Sequence, residues 1–180
     1  VNAKLFGISA LNFSFFWLTT LVVAHFQEVI WYQFFGSIPS PALWLLPIVY
    51  LSQKRSLFTG LVQTYLICLG VATVTVMPVG LLMAVCGLVF ATTLIFKGRI
   101  YWDGTGYQML IAAIAIAAFQ IYNYVLSWIL EPNPILYPQI LVWTAQIILT
   151  SAMSPLFYFL FDWFDHLTGR EVAVESEMQA

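Results

Sequence analysis

The stretch SLFTGLVQTYLICLGVATVTVMPVGLLMAVCGLVFATTLIF, residues 56–96, runs for 41 residues without a charged side chain. About 20 apolar residues cross the hydrocarbon core of a bilayer as a helix. The stretch therefore reads as two spans, near Leu57 to Val74 and Val79 to Phe96. Met77-Pro78-Val79-Gly80 makes the tight turn between them, because proline and glycine punctuate helices. The charge-free pattern continues on both sides. Leu5–Gln27 (23 residues), Val29–Gln53 (25), Gly104–Leu130 (27) and Pro132–Phe161 (30) each hold one further span.

Charge then orients the six spans. The basic residues are Lys4, Lys54, Arg55, Lys97, Arg99 and Arg170. With the N-terminus inside, the inner segments carry one, two, two and one of them, and the outer loops carry none. That is the positive-inside pattern. The expected fold is an all-α integral membrane protein with six transmembrane helices, N-in and C-in. Residues 1–167 form the transmembrane domain and 168–180 a short acidic cytoplasmic tail. Composition agrees. Hydrophobic residues make up 62% and charged residues 8%, against about 45–50% and about 25% in a soluble domain. In water such a chain would expose large apolar patches. It has no basic patch, so nucleic acid is not an expected partner.

Span one, near Leu5 to Ala24, is longer than a signal-peptide core of about 7–15 residues and reads as a retained anchor. Phe26, Trp31, Tyr32, Phe34 and Phe35 after it read as an aromatic belt at the outer interface. Span two is short. Pro39 and Pro41 break helix, and the 12 residues between Pro41 and Lys54 make a helix of only about 18 Å. Either the span is buried among other helices, or Val29–Ser37 dips into the membrane ahead of it. Pro47 is expected to kink it. Spans five and six run near Gln108 to Leu130 and Gln139 to Phe161. Glu131-Pro132-Asn133-Pro134 ends span five, and Tyr101 and Trp102 place the loop before it at headgroup level.

Ionisable residues inside a membrane are the usual sign of function. Here the charge-free intervals hold one imidazole, His25, at the edge of span one. No proton relay, nucleophile–base pair or metal-ligand set is visible, so no enzymatic activity and no cofactor are expected. His25 and Glu28 share a helix face but make a poor two-ligand site. Asp162, Asp165 and His166 read as a solvated helix end. Their negative charge opposes the helix dipole, which a basic partner segment would relieve. Cys68 and Cys86 lie in apolar spans and read as packing residues. The neutral polar residues form stripes. Ala113, Ala117, Gln120, Asn123 and Ser127 recur every three or four residues in span five. Gly60, Thr64 and Cys68 do so in span three, with Gln63 beside them. Such stripes let helices pack closely. They serve either internal packing or a groove for a ligand or a partner helix.

The layout resembles the bacterial rod-shape-determining MreD family. The resemblance rests on the short span entered as Pro41-Ala42-Leu43-Trp44-Leu45-Leu46 and ending Val49-Tyr50-Leu51. Lys54-Arg55, Gly60-Leu61-Val62-Gln63, the Pro78–Gly80 turn and the close Pro155-Leu156-Phe157 to Asp162-Trp163-Phe164 extend it. MreD-like chains often carry an acid soon after the span-three glycine, and Thr64 stands near that place. The resemblance implies a non-catalytic scaffold in the bacterial cytoplasmic (inner) membrane. It would act in the elongasome, the cell-shape complex of peptidoglycan synthesis, with an MreC-like single-span protein and wall-synthesis enzymes. Substrate-binding components of energy-coupling-factor vitamin transporters share size and span number. In that alternative the groove holds a small molecule, and Ala112 to Ala118 docks the transmembrane partner.

The orientation is checked by cysteine labelling. A cysteine at Ser37 or Asn133 is expected to react with an impermeant reagent from outside, and one at Thr105 is not. The reverse pattern overturns the orientation.

Overall fold

The structure, a computed structural model, describes residues 2–36, 38–97, 104–131 and 137–168. Among these residues the regular structure is helical throughout. Helix α1 (Asn2–His25) passes through a π turn (Phe26–Ile30) into a short α2 (Trp31–Phe35). A 3-10 turn, Leu43–Leu45, leads into α3 (Leu46–Lys54). Then come α4 (Leu57–Val71), α5 (Val79–Phe96), α6 (Thr105–Leu130) and α7 (Ile140–Leu167). Four helical segments are long and apolar enough to cross a membrane: Ala10–Ile30, Val79–Phe96, Thr105–Leu130 and Ile140–Leu167. Ser37, the loop around Tyr101 and Trp102, the Pro132–Pro134 turn and the tail from residue 169 lie outside the described residues.

The short helix is the centre of the molecule. Every residue from Pro41 to Ser52 is buried, and α3 packs against α4, α5, α6 and α7. A helix exposed all round to lipid must match the bilayer thickness, but one sheathed by its neighbours has no such constraint. The 3-10 turn and α3 together reach about 20 Å. Burial on all sides explains why the segment reads as a continuous apolar run. Pro47 corrects one expectation. It sits in the first turn of α3, where a missing N–H costs nothing, so it starts the helix rather than kinking it.

The chain break before α3 is held by side chains from elsewhere. Thr150 Oγ1 accepts the Ala42 N–H at 2.8 Å, and Gln146 Nε2 donates to the Ser40 carbonyl at 3.1 Å. Gln27 Oε1 accepts the Trp44 N–H at 3.2 Å. Irregular backbone inside a helical bundle persists only when its polar groups are satisfied in this way. The same logic applies at Pro155, inside α7. Its ring removes the bond to the Ser151 carbonyl, and the Ser154 hydroxyl donates to that carbonyl instead, at 2.8 Å.

Helix α7 buries Thr150, Ser154, Tyr158, Phe161 and Asp165. This is one stripe at steps of three and four, with apolar side chains such as Leu141 and Phe159 exposed beside it. Helix α7 runs past the expected end at Phe161, so its acids stand in helix. The α5 boundaries and the turn at Pro78 match the sequence reading. Helix α4 approaches its neighbours through Gly60. A Cβ there would lie 2.9 Å from Phe90 Cζ and 3.3 Å from the Leu51 carbonyl oxygen. Phe90 is itself buried and has nowhere to move. Gly60→Leu is therefore expected to destabilise the fold by at least about 1–3 kcal/mol, the usual cost of overpacking. A lowered thermal midpoint in detergent, against an unchanged Gly80→Leu control at an open position, checks this.

Candidate functional site

Polar side chains gather at the two ends of the bundle. At one end the core of the cluster is Asp165 of α7, 3% exposed. Arg55, at the C-cap of α3, places Nη2 2.6 Å from Asp165 Oδ1. The same nitrogen donates to Asn12 Oδ1 at 2.9 Å. Asn12 Nδ2 donates in turn to Asp165 Oδ1 at 2.6 Å and to Thr168 Oγ1 at 3.2 Å. The Tyr50 hydroxyl donates to Asp165 Oδ2 at 2.7 Å and lies 2.9 Å from Asp162 Oδ1. Its one proton is thus held between two carboxylates. Lys54 Nζ sits 3.2 Å from Asp162 Oδ1 on the wetter side.

Aromatic rings seal this cluster from below. Phe16, Tyr50 and Phe161 have mutual centroid distances of 5.5, 4.9 and 5.2 Å. The Arg55 guanidinium carbon is 5.8 Å from the Phe16 ring centroid, within cation–π range. Around it, Lys97 Nζ contacts the Arg55 carbonyl at 3.4 Å, and the Tyr107 hydroxyl donates to Gln53 Oε1 at 2.8 Å. Lys54, Arg55 and Lys97 therefore share one end of the bundle, as the charge pattern requires.

This arrangement corrects the reading of Asp162, Asp165 and His166 as a solvated helix end. Asp165 is buried and paired. The basic partner that the helix dipole called for is Arg55 of the same chain. The residues that sequence reasoning passed over are Asn12 and Tyr50. Asn12 had a signal, as the only carboxamide between Leu5 and Ala24. Tyr50 had none, since a tyrosine among apolar residues reads as packing. Among the described residues no three His, Cys, Asp or Glu side chains converge to hold a metal. Cys68 and Cys86 are buried, unbridged thiols.

The opposite end of the bundle opens into a recess of about 530 Å³. The π turn, the Pro39–Pro41 break, the α4–α5 turn and the facing ends of α6 and α7 form its walls. Gln120 and Asn123 of the expected stripe line it, with Gln146 and Gln139 opposite. Gln120 Nε2 donates to Gln146 Oε1 across the α6–α7 seam. Glu28 also lines the recess, whereas His25 does not. The other expected residues lie elsewhere. Gly60, Gln63 and Thr64 are buried in α4, with Gln63 Oε1 and Thr64 Oγ1 lacking hydrogen-bond partners. Ser127 is buried and donates to Glu131 Oε2 at 3.0 Å, one turn on. Ala113 and Ala117 are half-buried. The two stripes thus do not make one continuous groove.

The ion cluster gives a direct prediction. Removing one partner of a buried ion pair typically costs about 3–5 kcal/mol, because the other charge stays behind. Asp165→Ala and Arg55→Ala are each expected to lower the thermal midpoint sharply. The double substitution is expected to be less damaging than the two losses summed. Additive losses in such a cycle would show that the pair is not coupled. No family model matches the chain, and no curated protein or solved structure is similar enough to match it.

Proposed function

We propose that the chain is a non-catalytic subunit of the bacterial cytoplasmic membrane that docks the single transmembrane helix of a partner. By the resemblance to MreD-like proteins, that partner is an MreC-like protein of the cell-shape machinery, and wall-synthesis enzymes join the same assembly. All six long or central elements, α1 and α3 to α7, run between the basic end and the recess. This alternation supports six crossings with both termini inside.

The observation that carries the docking reading is a groove on the outer surface between α1 and α4. It has a volume of about 450 Å³ and is lined by Phe13, Trp17, Leu66, Leu69, Gly70 and Thr73. Trp17 lies against Gly70, where a Cβ would come within 2.8 Å of its Nε1. The indole N–H donates to the Leu66 carbonyl at 3.3 Å. The groove is almost wholly apolar, and its floor is closed by the Trp17–Gly70 contact. Gly70 lets Trp17 seat deeply between α1 and α4, and the exposed Leu66 and Leu69 beside it offer an apolar surface to a second helix. A second reading, the substrate-binding component of an energy-coupling-factor transporter, is favoured by the polar recess at the other end.

Affinity purification from native membranes, with mass spectrometry of the co-purifying proteins, tests both. The docking reading expects a single-span wall-morphogenesis protein together with peptidoglycan synthases. Filling the groove with Leu66→Trp and Leu69→Trp is expected to reduce that capture at least about tenfold, equivalent to about 1.4 kcal/mol. Membrane insertion should be unchanged. Undiminished capture by the filled variant rejects the groove. Recovery of paired ATPases with a second multispan protein establishes the transporter reading instead.

A further inference from the structure

We propose that the recess binds a small organic cation carrying N–H donors. Its volume of about 530 Å³ lies in the range of small-molecule sites, about 300–1,000 Å³. The lining side chains include two carboxylates, Glu28 and Glu131, and no Lys, Arg or His. Neither carboxylate forms an ion pair among the described residues. The described Lys and Arg side chains whose contacts are known, Lys54, Arg55 and Lys97, stand at the far end of the bundle. A concave site lined by one sign of charge concentrates ligands of the other sign. An anion would meet two carboxylates there, neither of them in an ion pair among the described residues.

Two further features narrow the chemistry. Trp44, Phe119 and Trp143 line the same recess, and Trp44 and Phe119 meet edge to face at 5.3 Å. Indole faces attract cations. Asn123 Oδ1 and Thr75 Oγ1, of two lining residues, are both buried and without a hydrogen-bond partner. Buried polar atoms are rarely left unsatisfied. The Asn123 amide oxygen can only accept, so a group that satisfies it donates, and the Thr75 hydroxyl can accept as well. Carboxylates, aromatic faces and free acceptors together describe an ammonium or amidinium group on a compact body. Such a group occurs on soluble amines and on the headgroup of phosphatidylethanolamine.

The inference supplies a ligand class to the transporter reading but does not rest on it, since binding is measured on the isolated protein. The test uses the full chain in dodecyl maltoside, an uncharged detergent, titrated with benzylammonium, benzyl alcohol and benzoate as size-matched probes. Benzylammonium is expected to bind saturably, at least about tenfold tighter than either of the others. Combining Glu28→Gln with Glu131→Gln is expected to erase that preference. Glu28→Gln alone, at an exposed position, should weaken it without touching the fold. Competition by added phosphatidylethanolamine assigns the site to a lipid headgroup, and lack of competition assigns it to a soluble amine. Equal binding of benzoate, no saturable binding, or a preference that survives both substitutions overturns the proposal. None of these outcomes bears on partner capture at the α1–α4 groove.

Discussion

The contact between Arg55 and Asp165 holds three otherwise distant parts of the chain in one place. It joins the end of the central helix to the end of the last one, with Asn12 of the first helix bonded to both. Each of these groups is poorly suited to its surroundings alone. The guanidinium and the carboxylate are almost fully buried, and burial of an unpaired charge costs several kcal/mol. Together they satisfy one another through short charge-assisted bonds. A polar cluster of this kind does not outbid apolar packing in energy. What it supplies is a demand for one arrangement, because a slip of α3 or α7 along its axis leaves a charge unpaired and a slip of α1 removes the Asn12 bonds to both.

That demand explains how a helix as short as α3 occupies the middle of a bundle of much longer ones. Apolar packing alone would let it slide, since Leu, Ile and Val offer similar surfaces at each turn. The ion cluster fixes it at one end. Thr150, Gln146 and Gln27 fix the chain break at the other. Helix α7 contributes to both anchor points, and its buried stripe is polar toward each end, at Thr150 and Ser154 and at Asp165, with the aromatic Tyr158 and Phe161 between.

Much of this was legible in the residues. The Pro78 turn and the limits of α5 follow from helix punctuation, and the gathering of Lys54, Arg55 and Lys97 at one end follows from the charge pattern. The burial of span two was one of two open solutions, and arithmetic on its length could not choose between them. What the residues alone could not reveal is pairing across the chain. Arg55 and Asp165 stand 110 positions apart, and nothing local marks them as partners. The stripes were visible as periodic patterns. Gln120 and Asn123 line the recess, while Gly60, Gln63 and Thr64 are enclosed by α4's neighbours. Periodicity identifies a face of a helix but not what that face meets. The recess drew on Gln27, Gln139, Gln146 and Glu131 as well, which belong to no shared pattern and converge only when the helices assemble.

The distance in sequence between Arg55 and its carboxylate also has a consequence for biogenesis. The ribosome delivers the central helix early and α7 last. During that interval Arg55 lacks Asp165, the carboxylate it pairs with in the folded chain, and the break at Pro39–Pro41 lacks the α7 side chains that later satisfy it. Until α7 is made, both ends of the central helix lack partners that satisfy them, so a chain truncated before Asp165 carries Arg55 without the carboxylate it pairs with.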